Sequence, residues 1–421
     1  MPPTRLLFVN HASRLSEAEL VLLDIAKAFR GASAFLFEDG PLRPALFALG
    51  VTSILPARAA PFAGIKRDRS LVRALPHLGG LARMWLRLRS AARRSDLVYA
   101  NSQKAFALAA PACAVARRPL IWHLHDILST DHFGRGQVGL TVRLANAWAA
   151  RVIVPSEAAA KAFADAGGRP SLLRVIPTGL DDVGPGRSSF AEGPLRSSFA
   201  EGPLRSGFDL PTPFIFGVFS RLSPRKGQEV ALRALAALPD AGCIIAGGAL
   251  FGEDEYARSL VALAATLGVS DRVRFLGQRD DVAALMRAVD AVVHPSTARE
   301  PFGRTLVEAM LARRPLIAAD AGAVPEIMDG GRVGMLFPPG DHAALADRLA
   351  RVSAGEGYPF LDPAEARARD VYNAERMRAS IRDVVAEVAG GVAPGRAPAR
   401  LGRIEVPDGL GRGGSDGRFP C

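Results

Sequence analysis

The sequence predicts an α/β protein of two Rossmann-like domains, and three observations carry that expectation. Strand-like and helix-like apolar patterns alternate through residues 1–182 and again through 212–371, as parallel sheets covered by helices require. A stretch rich in Gly, Pro and Ser, 183–211, separates the two halves. The chain has 421 residues, enough for each half to bury a core of its own.

The first half opens on a strand, Leu6–Val9, followed by a helix over Glu17–Phe29 with Leu20, Leu23, Ile25, Ala26 and Phe29 on its apolar side. Ser33–Phe37 reads as a strand, Pro41–Leu49 as a helix and Val51–Leu55 as a short strand. Further strands fall at Leu97–Ala100, Leu120–Leu124, Arg151–Pro155 and Leu173–Ile176. Between them, residues 66–94 carry Lys66, Arg67, Arg69, Arg73, Arg83, Arg87, Arg89, Arg93 and Arg94 against Asp68 alone. Leu81, Met84, Trp85 and Leu88 form one helical stripe, with Arg83, Arg87 and Arg94 roughly opposite. Two readings weigh equally. One is a basic amphipathic helix that docks on an anionic membrane. The other is a domain helix whose stripe packs on the sheet.

In the connector, Ser188–Arg196 is repeated at once as Ser197–Arg205, a nine-residue duplication that matches no stacking repeat and reads as a linker. The second half places strands at Phe214–Phe219, Cys243–Ala246, Val273–Phe275, Ala291–Val293 and Leu316–Ala319. Helices lie between them at Gln228–Leu238, Asp254–Leu267, Asp281–Ala288, Thr305–Ala312 and His342–Val352. A last helix, about Ala374–Val388 within a segment 372–389, precedes a Gly-, Pro- and Arg-rich tail over 390–421 that reads as disordered.

Composition narrows the class. Hydrophobic residues make up 49% and charged ones 23%, an ordinary globular balance. No run of about 18 apolar residues marks a membrane span, and the apolar run at the N-terminus is too short for a signal peptide. Cys113, Cys243 and Cys421 are far apart without metal-site spacing, which fits a reducing, cytoplasmic setting. The formal net charge of +11 is concentrated in residues 1–182, which hold 24 Lys and Arg against 13 Asp and Glu. A one-sided basic surface calls for an anionic partner. With no nucleic-acid module in the sequence, a lipid surface or anionic glycan leads over nucleic acid.

The chemistry concentrates at residues 299–310. Ala291–Ser296 reads as a strand entering a loop and the helix follows, so Gly303 sits where loop becomes helix. Backbone N–H groups and the positive dipole end meet there, which suits a phosphate. Glu300 precedes that end and Glu308 lies about one turn inside the helix. Spacing alone favours the plainer reading, a helix capped by an acidic residue with Glu308 on a solvated face.

Glu300-Pro301-Phe302-Gly303, four residues and then Glu308 resembles the signature of retaining glycosyltransferases of family 4. That resemblance implies the GT-B fold, two Rossmann-like domains facing across a cleft. It implies that Glu300 contacts hydroxyls of a donor sugar and that Glu308 holds the ribose hydroxyls of the nucleotide. Backbone amides near Phe302, Gly303, Arg304 and Thr305 would face the sugar and diphosphate. Ser220-Arg221-Leu222…Lys226-Gly227 resembles the family's Gly-Arg-Leu…Lys-Gly element with Ser220 for Gly, and assigns Arg221 and Lys226 to the charge on the leaving nucleoside diphosphate. In Trp122–Asp126, at a strand end, His125 matches the family's histidine near the donor sugar better than His123 does. Gly247 belongs to a strand-end glycine loop beside the nucleotide, and Gln278 and Arg279 to the segment lining the base. The Gly247 loop lacks the G-x-G-x-x-G spacing of a dinucleotide site.

Asn10-His11…Ser16-Glu17-Ala18-Glu19 resembles the family's Gly-Gly-Ala-Glu loop, with both glycines replaced by Ser16 and Glu17. A carboxylate beside a diphosphate is repulsive unless it points away. The resemblance further implies a metal-independent, retaining hexosyltransferase without an enzymatic nucleophile, whose only co-substrate is a nucleotide-diphosphate sugar. It would act on a glycan, lipid-linked or other cell-envelope acceptor; the setting expected from the cysteines is the cytoplasm, and the basic first half adds the inner face of the plasma membrane as an option. Two other readings stay open: another GT-B enzyme such as a nucleotide-sugar epimerase, or a catalytically impaired glycan-binding protein.

Overall fold

The structure, a computed structural model, describes residues 4–55, 78–130, 133–181, 206–249 and 252–391. The tandem duplication, residues 66–77 of the basic segment and residues 392–421 of the tail lie outside the described residues.

The first domain carries strands β1 (Leu6–Asn10), β2 (Ser33–Leu36), β3 (Thr52–Ile54), β4 (Leu97–Ala100), β5 (Leu120–His123), β6 (Arg151–Val154) and β7 (Leu173–Val175). They form one parallel sheet in the order β3-β2-β1-β4-β5-β6-β7. The connecting helices are α1 (Glu17–Ala26), α2 (Leu42–Ala48), α3 (Leu78–Arg93), α4 (Gln103–Ala116), α5 (Arg135–Trp148) and α6 (Glu157–Asp165). Because successive strand residues point to opposite faces, Leu7 and Val9 enter one core while Leu6 and Phe8 enter another.

The second domain has β8 (Phe214–Phe219), β9 (Ala241–Ala246), β10 (Val273–Gly277), β11 (Ala291–His294), β12 (Leu316–Ala319) and β13 (Met335–Phe337). These pair in parallel in the order β10-β9-β8-β11-β12-β13. Its helices are α7 (Gln228–Ala236), α8 (Asp254–Thr266), α9 (Val282–Ala288), α10 (Arg304–Leu311), α11 (Val324–Ile327), α12 (His342–Ser353) and α13 (Leu361–Val371). The expected doubly covered α/β architecture is thus present in both halves. Both sheets reverse direction of growth, at β1/β4 and at β8/β11, and such switch points open a crevice at the strand carboxyl ends.

The last helix, α14 (Ala374–Ala389), starts at Asn373, whose side chain accepts from the N–H groups of Glu375 (2.8 Å) and Arg376 (3.2 Å). Met377, Ile381, Val384 and Val385 recur at helical spacing and are buried in the first domain's core beside Leu6 and Phe8. Its Glu387 carboxylate pairs with Arg151, buried at 4% side-chain exposure, and with Arg174 at 3.1 Å. The chain therefore crosses from the second domain back to the first.

Several elements differ from the sequence expectation. Helix α4 is Ala-rich with Pro111 inside and has no sharp polar face, so periodicity gave no signal for it. Helices α5, α6 and α13 were likewise not expected, and β13 is three residues long, too short to alternate visibly. In α3, Met84 and Leu88 are buried and Leu81 and Trp85 pack on the first domain's core. The apolar stripe is consumed by the sheet, leaving Arg83, Arg87, Arg93, Arg94 and Leu86 on the outer face.

Removing one partner of a buried ion pair leaves a desolvated charge behind. Glu387→Ala is therefore expected to cost about 3 kcal/mol, read as a lower thermal midpoint. Arg151→Met with Glu387→Leu is expected to recover most of that loss.

Candidate active site

The two switch points face one another across a cavity of about 420 Å³. The first domain contributes the loop after β1 with the start of α1 (His11 to Glu19), the loop after β4 (Asn101, Ser102) and the loop after β5 (His125 to Ile127). The second contributes the loops after β8 and β11, Gly247, Gln278, Arg279 and the start of α10. Beside the cavity, several contacts among the described residues bring the domains together. Ser156 Oγ donates to the Pro301 carbonyl (2.7 Å), Glu157 N–H donates to Glu326 Oε2 (2.9 Å), and Arg304 Nη1 lies 3.6 Å from Asp24 Oδ2.

The loops after β8 and β11 are locked into one another. Gly227, at φ +71°, lies so close to Pro295 that a Cβ would fall 1.9 Å from the Pro295 carbonyl oxygen. Thr297 N–H donates to the Arg225 carbonyl at 3.0 Å, and Ser296 Oγ lies 2.9 Å from the same carbonyl. This register sets Lys226 against Glu300. Lys226 Nζ donates to Glu300 Oε1 at 2.7 Å, Ser296 Oγ donates to the same oxygen at 2.6 Å, and His294 Nε2 lies 3.6 Å from it. All three reach Oε1, so among the described residues Oε2 is the oxygen left to a ligand. Burial works to raise the Glu300 carboxyl's pKa, but Lys226 and His294 outweigh it and hold the group well below its ordinary value.

Gly303 caps α10 with φ +99°, a left-handed conformation that glycine adopts without strain. The turn aims the N-terminal end of α10 at the cavity, with Phe302, Gly303, Arg304 and Thr305 on its wall. Phe302 packs edge-on against Tyr372 with ring centroids 5.5 Å apart, and Thr305 Oγ1 donates to the Phe219 carbonyl (3.2 Å). Glu308 sits one turn further in and is not on the cavity wall; Arg304 Nε lies 3.7 Å from its Oε1. Arg304 therefore spans Glu308 and Asp24 of α1.

Arg221 lines the cavity while its Nη1 donates to Glu253 Oε2 at 3.0 Å. Gly247 N–H donates to the Gly277 carbonyl (2.8 Å), and Gln278 Oε1 accepts from Gly248 N–H (3.2 Å). Arg279 is clamped by both oxygens of Asp281, at 2.8 and 2.6 Å. On the opposite wall His125 Nε2 meets Asn101 Oδ1 at 3.0 Å, and burial lowers the His125 pKa to about 4, so the ring is neutral.

Ser16 is the N-cap of α1 and forms a capping box with Glu19, a local reason for the serine there. Glu17 does not point away: it lines the cavity. Burial raises its pKa against the pull of Lys226, which weakens the charged form of a carboxyl set beside an expected diphosphate.

Each residue given a binding or catalytic role from the sequence, Glu308 excepted, lies on this one cavity. The sequence reading missed Ser296, His294, Glu253 and Asn101. His294 and Asn101 adjoin strand ends that face the crevice, a signal available in the sequence; Glu253 gave none.

Known proteins resemble both halves of the chain. A family model described as Glycosyl transferases group 1 matches residues 205–377, and one described as Glycosyltransferase Family 4 matches residues 43–183. HepE of Anabaena, in its crystal structure with UDP and glucose, is 35% identical with a TM-score of 0.78, over 91% of this chain and 99% of that one. A phosphatidyl-myo-inositol mannosyltransferase of Mycobacterium leprae is 42% identical over 132 residues, 30% of this chain and 33% of its own. A D-inositol 3-phosphate glycosyltransferase of Mycolicibacterium gilvum is 36% identical over 152 residues, 36% of this chain and 34% of its own. The match thus spans about a third of the length of these curated relatives.

The folded-state pKa of Glu300 lies below the ordinary 4.5. Its ion pair therefore contributes stability that is fully present above about pH 4.5 and is lost as pH falls through the lower folded value. Thermal unfolding from pH 7 to pH 3 is expected to show Glu300→Gln less stable at pH 7, with the gap to wild type closing in acid.

Proposed function

This chain belongs to glycosyltransferase family 4 and has its GT-B fold, and we propose that it moves a sugar from a nucleotide-diphosphate sugar to a hydroxyl acceptor with retention. The observation that carries the reading is the Lys226–Glu300 pair, set at the N-terminus of α10 and opposite His125 in one cavity. In this account the diphosphate takes the α10 terminus, with Lys226 and Arg221 receiving the charge that grows on the leaving phosphate. Glu300 Oε2 and His125 hold the sugar. Gly247, Gln278 and Arg279 flank the base, and Glu308 takes the ribose once Arg304 moves aside.

The bond from the anomeric carbon to phosphate oxygen breaks, and the bond to acceptor oxygen forms on the same face. The acceptor proton passes to the departing phosphate, so no protein nucleophile or metal is called for. UDP-glucose is the first donor to try, because HepE of Anabaena was solved in complex with it. The acceptor enters over the first domain, and the mycobacterial relatives point to an inositol-containing or otherwise anionic cell-envelope acceptor. An anionic membrane surface would meet the arginine face of α3 with Leu86, since the apolar stripe is buried. No helix among the described residues is long and apolar enough to cross a membrane.

Release of nucleoside diphosphate from a panel of nucleotide sugars tests the reading. One donor is expected to turn over, and Glu300→Ala or Lys226→Ala to lower its kcat/KM by about 10²–10³. Equal turnover in Glu300→Ala, or binding without turnover in the wild type, would contradict it.

A further inference from the structure

A polar network behind the first-domain wall runs in one direction, and it fixes which nitrogen of His125 carries the proton. Asn10, Asn101 and Glu19 are fully or almost fully buried. Asn10 Nδ2 donates to the Ala12 carbonyl (2.6 Å) and to Glu19 Oε1 (3.0 Å), and both are acceptors. Asn10 Oδ1 must therefore face the next residue, and Asn101 Nδ2 donates to it at 3.1 Å. The second hydrogen of Asn101 Nδ2 goes to the Ala18 carbonyl (3.0 Å), again an acceptor only. Both amide hydrogens of Asn101 are then used, so the oxygen must face His125, and His125 Nε2 must donate to it. A neutral ring with its hydrogen on Nε2 has a bare lone pair on Nδ1. Among the described residues nothing bonds Nδ1, and His125 lines the cavity.

We propose that Asn101 is a positioning residue that locks His125 as the Nε2–H tautomer, so that Nδ1 reads one hydroxyl of the donor sugar as a hydrogen-bond acceptor. The sugar-reading part rests on the donor site proposed above; the tautomer does not. Such a wall selects a sugar that presents O–H or N–H at that point and disfavours one that presents only an acceptor. The titratable groups around the ring are His123, whose ring lies 4.0 Å away and which burial keeps neutral, then Asp126, and Glu19 at the far end of the network. His123 is itself engaged through Nδ1 with the Tyr99 hydroxyl at 2.8 Å and does not compete for Asn101.

Nitrogen-15 NMR of the imidazoles in the full chain tests both parts, with His125 identified by its loss in His125→Gln. The wild type without ligand is expected to show one tautomer, Nε2 protonated and Nδ1 bare, at neutral pH. Asn101→Asp sets a carboxylate on Nε2–H and is expected to raise the His125 pKa, so that Nδ1 is protonated at a pH where the wild type is not. A wild-type ring with its hydrogen on Nδ1, or a mixture of tautomers, overturns the role of Asn101. UDP-glucose is then added, followed by analogues in which fluorine replaces each sugar hydroxyl in turn. The Nδ1 signal is expected to move with UDP-glucose, and one analogue to bind about tenfold more weakly. Bound UDP-glucose that leaves Nδ1 unmoved overturns the reading of a hydroxyl. UDP-glucose that does not bind counts against the donor reading and the sugar contact together, while the ligand-free tautomer still decides the part played by Asn101.

Discussion

The close fit of Gly227 against Pro295 is the constraint on which the cavity depends. Two loops leaving neighbouring strands at a switch point would otherwise splay, because nothing in a parallel sheet ties its carboxyl-end loops together. With Gly227 seated on the Pro295 carbonyl, the Arg225 carbonyl receives the Thr297 N–H, and Lys226 is delivered to Glu300. A charged pair so buried is stabilised by further partners on the carboxylate: Ser296 and His294 attend the same oxygen. The consequence reaches beyond stability. One carboxylate oxygen is spent on structure and the other is offered to the cavity, already ionised and already oriented.

The first domain answers with a different device. Around His125 its wall is held by amide and imidazole groups whose hydrogen-bond directions are dictated by carbonyls and the Glu19 carboxylate. Cations at the second domain's wall and fixed neutral dipoles beside His125 suit a ligand whose diphosphate is anionic and whose sugar is not. The division matches the proposed placement of diphosphate against the second domain and sugar between the two. Helix α14 makes the arrangement an interdomain one, because it ties the end of the second domain to the hydrophobic face of the first.

Much of this was legible in the residues, and the parts that were not have physical causes. The alternation of strands and helices was readable because buried parallel strands are continuous apolar runs, as in Ala291–His294. Helix α4 escaped because a helix buried among neighbours has no polar stripe. The site motifs were legible because glycine and paired charges at strand ends carry chemistry at fixed spacing. The contacts that tune them were not, since Glu253 reaches Arg221 and Asn101 reaches His125 from distant positions. The stripe of α3 read equally well as a membrane face or a core face, and only its packing against the sheet distinguishes the two. Glu17 is the instructive case: its replacement of a glycine was plain in the sequence, but the burial that raises its pKa comes from packing across the cleft.

The central claim is that a nucleoside diphosphate is held at the start of α10 by Lys226. Calorimetric titration of UDP into the wild type and Lys226→Met tests it most directly. The account predicts binding to the wild type and a loss of about tenfold or more in the variant, roughly 1.4 kcal/mol or greater. Equal affinity in the two proteins, or no binding to the wild type, would contradict it.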